Sequence, residues 1–214
     1  MRRSLLVPRG VSDPTQRGLD HVARMIVRAG ITANAVTIAS LGFAAVAGVL
    51  LSVGALGWAA LAMVTACLGD ALDGLVARRS SSTSVGGALL DASVDRYGEF
   101  FFLGGLALYL RASTPLLAVT LSALAGSFMV SYGSAKAEAL RVSVPPGLMR
   151  RAERAVCLCS GVGLVPLSDW LARASILPAW AARAPLVAAL AVIAVGANAS
   201  AIRRLRALAR VPSP

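Results

Sequence analysis

Six apolar stretches, most of them about as long as a lipid bilayer is thick, constrain this chain more than any other feature. A helix needs roughly 20 apolar residues to cross the hydrocarbon core. The stretches cover residues 35–53, 56–76, 88–110, 115–135, 155–167 and 185–202, and the fifth is short. With 57% hydrophobic residues and a mean hydropathy of +0.74, the chain of 214 residues is too apolar for a soluble domain of this size. We therefore predict an all-α integral membrane protein with six transmembrane helices.

The basic residues predict which way the chain crosses the membrane. When the N-terminus is placed inside the cell, all but three of the 21 lysine and arginine residues fall on the inner side. This bias is typical of cytoplasmic loops. We therefore expect a multi-pass protein of the cytoplasmic (inner) membrane with both termini in the cytoplasm. Anionic lipid headgroups then account for the net charge of +11, so no nucleic-acid partner is expected.

The segment before the first span has a different character. Apolar residues recur at helical spacing between about residues 15 and 29, while the charged residues lie on other faces. This pattern predicts an amphipathic helix that lies in the inner membrane interface. The predicted organisation is therefore a cytoplasmic segment over residues 1–30, which carries this helix, followed by one six-helix domain over residues 31–210.

Four aspartates interrupt the apolar pattern near the inner surface. Asp70 and Asp73 lie close to the inner end of the second span, and Asp91 and Asp95 lie in the first turns of the third. Spacings of three and four place each pair on one helical face. A carboxylate in a bilayer costs several kcal/mol, roughly 2.5–3.5 on insertion scales, so these acids need compensation. Four carboxylates that face one point favour a site for hard divalent cations.

The alternative explanation is structural. In that case the aspartates simply form ion pairs with the neighbouring arginines Arg78, Arg79 and Arg96. Ionisable groups within membrane spans are more often functional. The regular spacing, with Gly74 and Gly87 inside it, also favours a binding site.

The complete pattern resembles a known family signature. The string Asp70-x2-Asp73-Gly74-x2-Ala77-Arg78-x8-Gly87-x3-Asp91-x3-Asp95 matches that of the CDP-alcohol phosphotransferases without departure. The resemblance extends to the six spans and the N-terminal interfacial helix. It implies an enzyme that transfers the phosphatidyl group of CDP-diacylglycerol to an alcohol and releases CMP. It also implies a homodimer.

The resemblance further implies roles for individual residues. The implied metal ligands are Asp70, Asp73, Asp91 and Asp95. They would hold two Mg²⁺ ions, with Mn²⁺ as the alternative. Asp95 is also the implied catalytic base. The implied contacts to CDP-diacylglycerol come from Thr32, Ala33, Asn34, Ala35, Gly74, Arg78 and Ser84. Thr83 is the nearest alternative to Ser84, and a proline common in the family is Ala33 here. Arg78 suits a diphosphate because its guanidinium group forms paired bonds with phosphate oxygens.

Two basic residues suggest the acceptor alcohol. The runs 131–138 and 150–154 are similar to those of the phosphatidylinositol phosphate synthase branch, and Lys136 and Arg154 would bind the phosphate of inositol phosphate. Alternatively, both are ordinary basic residues that flank inner loops. The branch that uses glycerol phosphate usually carries a Gly-Lys-x2-Thr run after the fourth span, and this chain has no such run. Glycerol phosphate or another alcohol of the same family is still an alternative acceptor.

Two other classes of function also stay open at this point. One is a divalent-metal transporter that uses the four aspartates. Transport sites usually lie near the membrane midplane on paired repeats, and neither feature is seen here. The other is a lipid-binding scaffold that has kept the fold without the activity. CMP release from CDP-diacylglycerol distinguishes the enzyme from both.

Overall fold

The computed structural model describes residues 14–80 and 84–210, and within these ranges it is helical between short turns, with no β-strand. The helices are α1 (Pro14–Arg28), α2 (Ala33–Ser52), α3 (Leu56–Arg79), α4 (Val85–Tyr109), α5 (Thr114–Ala139), α6 (Arg151–Arg173) and α7 (Ala184–Ala209). A short 3-10 helix, Ala179–Arg183, directly precedes α7. The prediction of an all-α chain is confirmed for these residues. Thr83 lies outside them.

The long helices α2 to α7 coincide with the six predicted spans. Five of them, all except α4, are long and apolar enough to cross a membrane, α7 being taken together with the 3-10 helix before it. Helix α4 has sufficient length but carries Asp91, Asp95, Arg96 and Glu99. Helix α6 continues through Pro166 for 23 residues, so the fifth predicted span was too short. A multi-pass membrane protein is therefore confirmed, while a crossing by α4 stays a prediction.

Polar caps fix where the two helices of the aspartate region begin. The Thr32 hydroxyl accepts a hydrogen bond from the Ala35 amide (3.3 Å) at the start of α2, and the Ser84 hydroxyl accepts one from the Gly87 amide (2.9 Å) at the start of α4. Such caps satisfy amide groups that lack a partner within the helix. They define the residues at which α2 and α4 begin.

Small residues allow the helices to pack closely. Helix α2 packs against α3 and α4, α5 packs against α7, and α6 packs against α3 and α7. One close approach joins α2 and α4, where a Cβ atom on Gly105 would lie 2.3 Å from the carbonyl oxygen of Gly48. Leu51, Met63 and Leu106 fill the core beside this contact. The packing brings the C-terminal parts of α3, α5 and α7 and the N-terminal parts of α4 and α6 around one region.

Helix α1 is joined to the C-terminal end of α3. Ala23 packs with Val76 in a small apolar cluster, and Nη2 of Arg79 donates a hydrogen bond to Oδ1 of Asp20 over 2.8 Å. The Arg79 guanidinium group holds the pKa of the Asp20 carboxyl below its ordinary value. The predicted amphipathic helix is thus present, and its location in the membrane interface stays a prediction.

Candidate active site

Three of the four motif aspartates form one cluster. Each of Asp70 on α3 and Asp91 and Asp95 on α4 offers a carboxylate oxygen, and these oxygens all lie within 4.8 Å of one another. The i, i+4 spacing places Asp91 and Asp95 on the face of α4 that approaches Asp70. An all-oxygen donor set of this charge suits a hard divalent cation. We call these three residues the aspartate cluster.

A buried oxygen of Asp95 supports the fit to a cation. Its Oδ1 is buried and accepts no hydrogen bond from the described residues. Nη2 of Arg151 lies 2.6 Å from this oxygen as an ion pair. A buried carboxylate oxygen without a hydrogen bond is costly unless a positive charge is close. The cluster therefore has the oxygen donors that suit a divalent cation, and Arg151 supplies the positive charge beside the buried oxygen of Asp95.

Arg151 is the cation that pairs with the cluster, and sequence reasoning missed it. Its Nη1 and Nη2 atoms donate hydrogen bonds to the two carboxylate oxygens of Asp70, over 2.8 and 3.1 Å. Because it also pairs with Asp95, Arg151 joins α6 to both α3 and α4. Of the arginines that the structural alternative named, Arg79 pairs with Asp20 instead, whereas Arg96 does form a long ion pair of 4.0 Å with Asp95.

Asp73 has a separate environment. Its Oδ2 accepts a 2.6 Å hydrogen bond from the hydroxyl of Thr37 on α2, and only 5% of the residue is exposed. The structure does not bring its carboxylate oxygens into the cluster of three. It faces a cavity that also reaches Asp91. Its role as a metal ligand therefore stays a prediction with less structural support than that of the other three.

This cavity lies between α2, α3 and α4, and we call it the glycine-lined cavity. It contains five of the seven residues predicted to contact CDP-diacylglycerol. These are Ala33, Asn34, Gly74, Arg78 and Ser84. The other two, Thr32 and Ala35, form the cap of α2 instead. A Cβ atom on Gly87 would lie 3.2 Å from the Ser84 hydroxyl and 3.4 Å from Oδ1 of Asn34, so glycine keeps this cavity open.

A second polar cavity adjoins the cluster at Asp95 and lies between α4, α5, α6 and α7. We call it the arginine-lined cavity. Its charged lining residues are Asp95, Arg96, Glu99, Arg150, Arg151, Arg154 and Arg204. Five cations and two anions leave it positively charged. Such a cavity suits an anionic ligand, because guanidinium groups bind phosphate oxygens through paired hydrogen bonds.

Two arginines in this cavity are held firmly. Arg154 is 4% exposed, and its Nε and Nη2 atoms donate hydrogen bonds to Oε1 of Glu99 over 2.9 and 2.6 Å. Nη1 of Arg204 donates hydrogen bonds to the carbonyl oxygen of Val130 and to the hydroxyl of Ser134. Nε of Arg204 is buried without a hydrogen-bond partner among the described residues. Both guanidinium groups therefore have fixed orientations toward the cavity.

The structure separates the two residues that were predicted to bind the acceptor. Arg154 lines the arginine-lined cavity, whereas Lys136 is exposed on α5 and does not line it. Arg204, from the far end of the chain, does line the cavity and was not predicted. The available signal in the sequence was weak, since Arg204 follows a predicted span just as the other basic residues of the predicted inner side do. Its contacts with α5 become apparent only from the packing of α5 against α7.

Comparison with known proteins identifies relatives over most of the chain. The family model described as CDP-alcohol phosphatidyltransferase matches residues 30–197. The phosphatidylinositol phosphate synthase of Mycolicibacterium smegmatis is 33% identical over 195 residues, which cover 89% of this chain and 83% of that protein. The enzyme of the same name from Cutibacterium acnes is 31% identical over 198 residues, which cover 90% and 92%.

Solved structures resemble the fold as well. The crystal structure of Mycobacterium tuberculosis phosphatidylinositol phosphate synthase with CDP-DAG bound superimposes with a TM-score of 0.77 at 27% identity, over 92% of this chain and 96% of that one. A structure of the same enzyme in complex with manganese and citrate gives a TM-score of 0.76 at 27% identity, over 91% and 90%. The helical arrangement described above is therefore similar to that of a metal-binding lipid enzyme.

Proposed function

Because the chain belongs to the CDP-alcohol phosphatidyltransferase family, we propose that it transfers the phosphatidyl group of CDP-diacylglycerol to inositol phosphate and releases CMP. The chain is thus a transferase of phospholipid synthesis. Membership of this family removes the support for a metal transporter. The choice of inositol phosphate rests on the arginine-lined cavity and on the names of the relatives.

One observation carries the proposal: Asp95 belongs to the aspartate cluster and also lines the arginine-lined cavity. Asp91 in turn belongs to the cluster and lines the glycine-lined cavity. The two cavities therefore adjoin the same aspartate cluster, each through a different carboxylate. A two-substrate transfer needs this arrangement, because the donor phosphate and the acceptor hydroxyl must meet at one point.

The donor is assigned to the glycine-lined cavity. Gly74 and Gly87 leave space for the nucleotide to approach the helix backbones, and Arg78 lies beside that space to pair with a phosphate. Asp73, fixed by Thr37, closes the cavity toward α2. Thr32 and Ala35 act indirectly, because they set the start of α2, which supplies Ala33 and Asn34.

The acceptor is assigned to the arginine-lined cavity. Arg154 and Arg204 have fixed guanidinium groups there that would bind the acceptor phosphate. The acceptor hydroxyl would then point toward Asp95 at the boundary with the cluster. Lys136 is kept as a weaker candidate, because its exposed side chain would have to turn toward the cavity from α5.

The reaction breaks the phosphoanhydride bond between the two phosphates of CDP-diacylglycerol and forms a phosphodiester bond to the acceptor oxygen. Asp95 accepts the proton of the acceptor hydroxyl, and CMP departs with the electron pair of the broken bond. A bound divalent cation supplies positive charge against the diphosphate, and Asp70, Asp91 and Asp95, with Asp73 beside them, would hold it. We propose two Mg²⁺ ions, with Mn²⁺ as the alternative.

The assembly around this site is also part of the proposal. All of helices α2 to α7 would cross the membrane, with α1 lying in the inner interface and both termini in the cytoplasm. The basic inner ends of the helices support this orientation. The active site would then open to the cytoplasm, where a water-soluble inositol phosphate is available. We expect a homodimer in the cytoplasmic membrane, built from the 31–210 domain with the 1–30 segment attached.

An acceptor screen tests the proposal. Purified protein is given CDP-diacylglycerol and Mg²⁺ together with inositol phosphate, glycerol phosphate, inositol or serine, and CMP release is measured. We expect release with inositol phosphate and none with the Asp95→Asn variant, which should still bind the donor. Release with glycerol phosphate alone would assign the other acceptor. No CMP release with any alcohol would favour the non-catalytic scaffold.

A further inference from the structure

We infer that Glu99 binds hydroxyl groups of the acceptor and so selects a polyol phosphate over a smaller alcohol phosphate. This inference rests on the proposed function, because it places the acceptor in the arginine-lined cavity. Glu99 is a fifth acidic residue in the same region and has no role in the family signature from Asp70 to Asp95. An acid inside an apolar helix is costly and therefore calls for an explanation.

The position of Glu99 on α4 is the first argument. Asp91, Asp95 and Glu99 follow one another at spacings of four, so the three carboxylates lie along one face of the helix. Glu99 is one turn beyond Asp95 in the direction away from the start of α4, about 6 Å along the helix axis. An acceptor whose reacting hydroxyl points at Asp95 would extend its other hydroxyls toward Glu99.

The hydrogen bonds of Glu99 are the second argument. Both bonds from Arg154 end on Oε1, and neither uses Oε2. An ionised carboxylate has about four lone-pair sites, so this arrangement leaves acceptor capacity on the second oxygen. The Glu99 side chain is 15% exposed, and the residue lines the arginine-lined cavity. A hydroxyl group in that cavity is a suitable donor to this carboxylate.

The surroundings beyond Glu99 are the third argument. Glu99 and Arg154 also line an inner cavity whose lining is mostly apolar and includes Phe102, Leu103, Leu158 and Ile193. A hydroxylated ring that moved past Glu99 would meet these apolar side chains and lose its hydrogen bonds to water. Glu99 is therefore placed at the boundary between the polar and apolar parts of the interior. It sets how deeply a polar acceptor can enter.

The experiment compares two ligands of the same cavity in the Glu99→Gln variant. Steady-state kinetics give the KM for inositol phosphate, and inhibition by glycerol phosphate gives a Ki that reports mainly the arginines. We expect the KM for inositol phosphate to rise about tenfold to hundredfold, because a hydrogen bond to a charged group is worth roughly 1.5–3 kcal/mol. The Ki for glycerol phosphate should change by less than about threefold, since its shorter chain makes fewer hydroxyl contacts.

Two further variants keep the result interpretable. Glu138→Gln removes an exposed carboxylate of α5 and should leave both constants unchanged. Glu99→Asp keeps a negative charge beside Arg154 but withdraws the carboxylate from the cavity. We expect it to fold as the parent does and to raise the KM for inositol phosphate while sparing the Ki for glycerol phosphate. Removing one partner of a buried ion pair is strongly destabilising, so Glu99→Gln could fail to fold. In that case Glu99→Asp alone tests the inference.

The outcomes separate this inference from the proposed function. Equal rises in the KM and the Ki would mean that Glu99 acts only by holding Arg154, which overturns the inference and leaves the proposed acceptor intact. An unchanged KM in both Glu99 variants would overturn it as well. A parent protein that releases no CMP with inositol phosphate would overturn the proposed acceptor and, with it, the role of Glu99.

Discussion

At the scale of single residues, the site is a chain of alternating charges shared among three helices. Arg151 pairs with Asp70 and Asp95, and Arg154 pairs with Glu99 one turn further along α4. Such pairs reduce the cost of placing ionised groups within a membrane protein. They also hold the carboxylates and guanidinium groups in fixed positions, and a site that binds two charged substrates needs this order.

Asp91 offers the cleanest test of the metal site, because it is the most exposed member of the aspartate cluster. The Asp91→Asn variant keeps the shape of the side chain and removes one negative charge. Cation affinity at oxygen sites depends on ligand charge, so we expect the Mg²⁺ concentration for half-maximal activity to rise by about tenfold or more. This concentration is obtained by measuring CMP release as a function of Mg²⁺ or Mn²⁺ concentration.

The control for this prediction is Asp169→Asn. Asp169 pairs with Arg173 near the opposite end of α6, with a half-exposed side chain. The Asp169→Asn variant should need the same Mg²⁺ concentration for half-maximal activity as the parent protein. A parent-like metal titration in Asp91→Asn would remove Asp91 from the set of metal ligands.

Arg204 tests the acceptor site at the residue that sequence reasoning missed. Replacing it by glutamine removes a charged donor whose orientation Val130 and Ser134 fix. We expect the KM for inositol phosphate to rise about tenfold to hundredfold and the KM for CDP-diacylglycerol to stay within about twofold. Arg206→Gln, an exposed position two residues further on α7, is the matched control and should resemble the parent. A rise in the donor KM as large as that in the acceptor KM would contradict the assignment.

At the scale of helices, local periodicity explains which parts of the site could be predicted. The aspartates lie within two consecutive helices, so spacings of three and four already indicate a common face. The caps of α2 and α4 are also local signals, since Ser and Thr are typical of helix starts. The convergence of Asp70, Asp91 and Asp95 could therefore be predicted from local spacing, whereas the separate position of Asp73 could not, because it depends on the contact with Thr37 on α2.

The arginine-lined cavity could not be predicted in the same way. Arg151 and Arg204 come from α6 and α7, and their distance from α4 depends on how the helices pack. Lys136 and Arg204 both lie near the C-terminal ends of long helices, so the distribution of positive charge along the sequence does not distinguish them. Only the packing of α5 against α7 shows that Arg204 lines the cavity and that Lys136 does not.

The crossing of α2 and α4 gives a prediction at this scale. A Cβ atom on Gly105 would lie 2.3 Å from the carbonyl oxygen of Gly48, so Gly105→Ala must push the two helices apart. Overpacking of this kind typically costs about 1–3 kcal/mol. We expect a lower thermal unfolding temperature in detergent and reduced turnover, because α2 and α4 carry opposite walls of the glycine-lined cavity.

Its neighbour provides the control. A Cβ atom on Gly104 would meet nothing closer than the Phe100 ring, at 3.9 Å. Gly104→Ala should therefore retain the parent unfolding temperature or exceed it slightly, since alanine favours helices. Equal unfolding temperatures in both alanine variants would show that the helices separate at no measurable cost.

At the scale of the whole molecule, the charge distribution and the site lead to the same orientation. The cavities and the aspartate cluster lie at the end of the bundle where α3 finishes and α4 and α6 begin. Most of the basic residues are at that end, and positive charge favours the cytoplasmic side. Anionic headgroups of the inner leaflet would attract the same surface. CDP-diacylglycerol, a membrane lipid with a charged nucleotide, would then reach the site from the surrounding leaflet.

This orientation can be tested with single cysteines placed in the two kinds of loop. Ala112 is exposed between α4 and α5, and Leu140 is exposed between α5 and α6. A membrane-impermeant maleimide added to intact cells should label Ala112→Cys, whereas Leu140→Cys should react only after the membrane is opened. The parent, whose Cys67, Cys157 and Cys159 lie within helices and are not fully exposed, gives the background. The opposite labelling pattern would place the active site outside the cell, away from cytoplasmic inositol phosphate. Labelling of both variants in intact cells would mean that α5 does not cross the membrane.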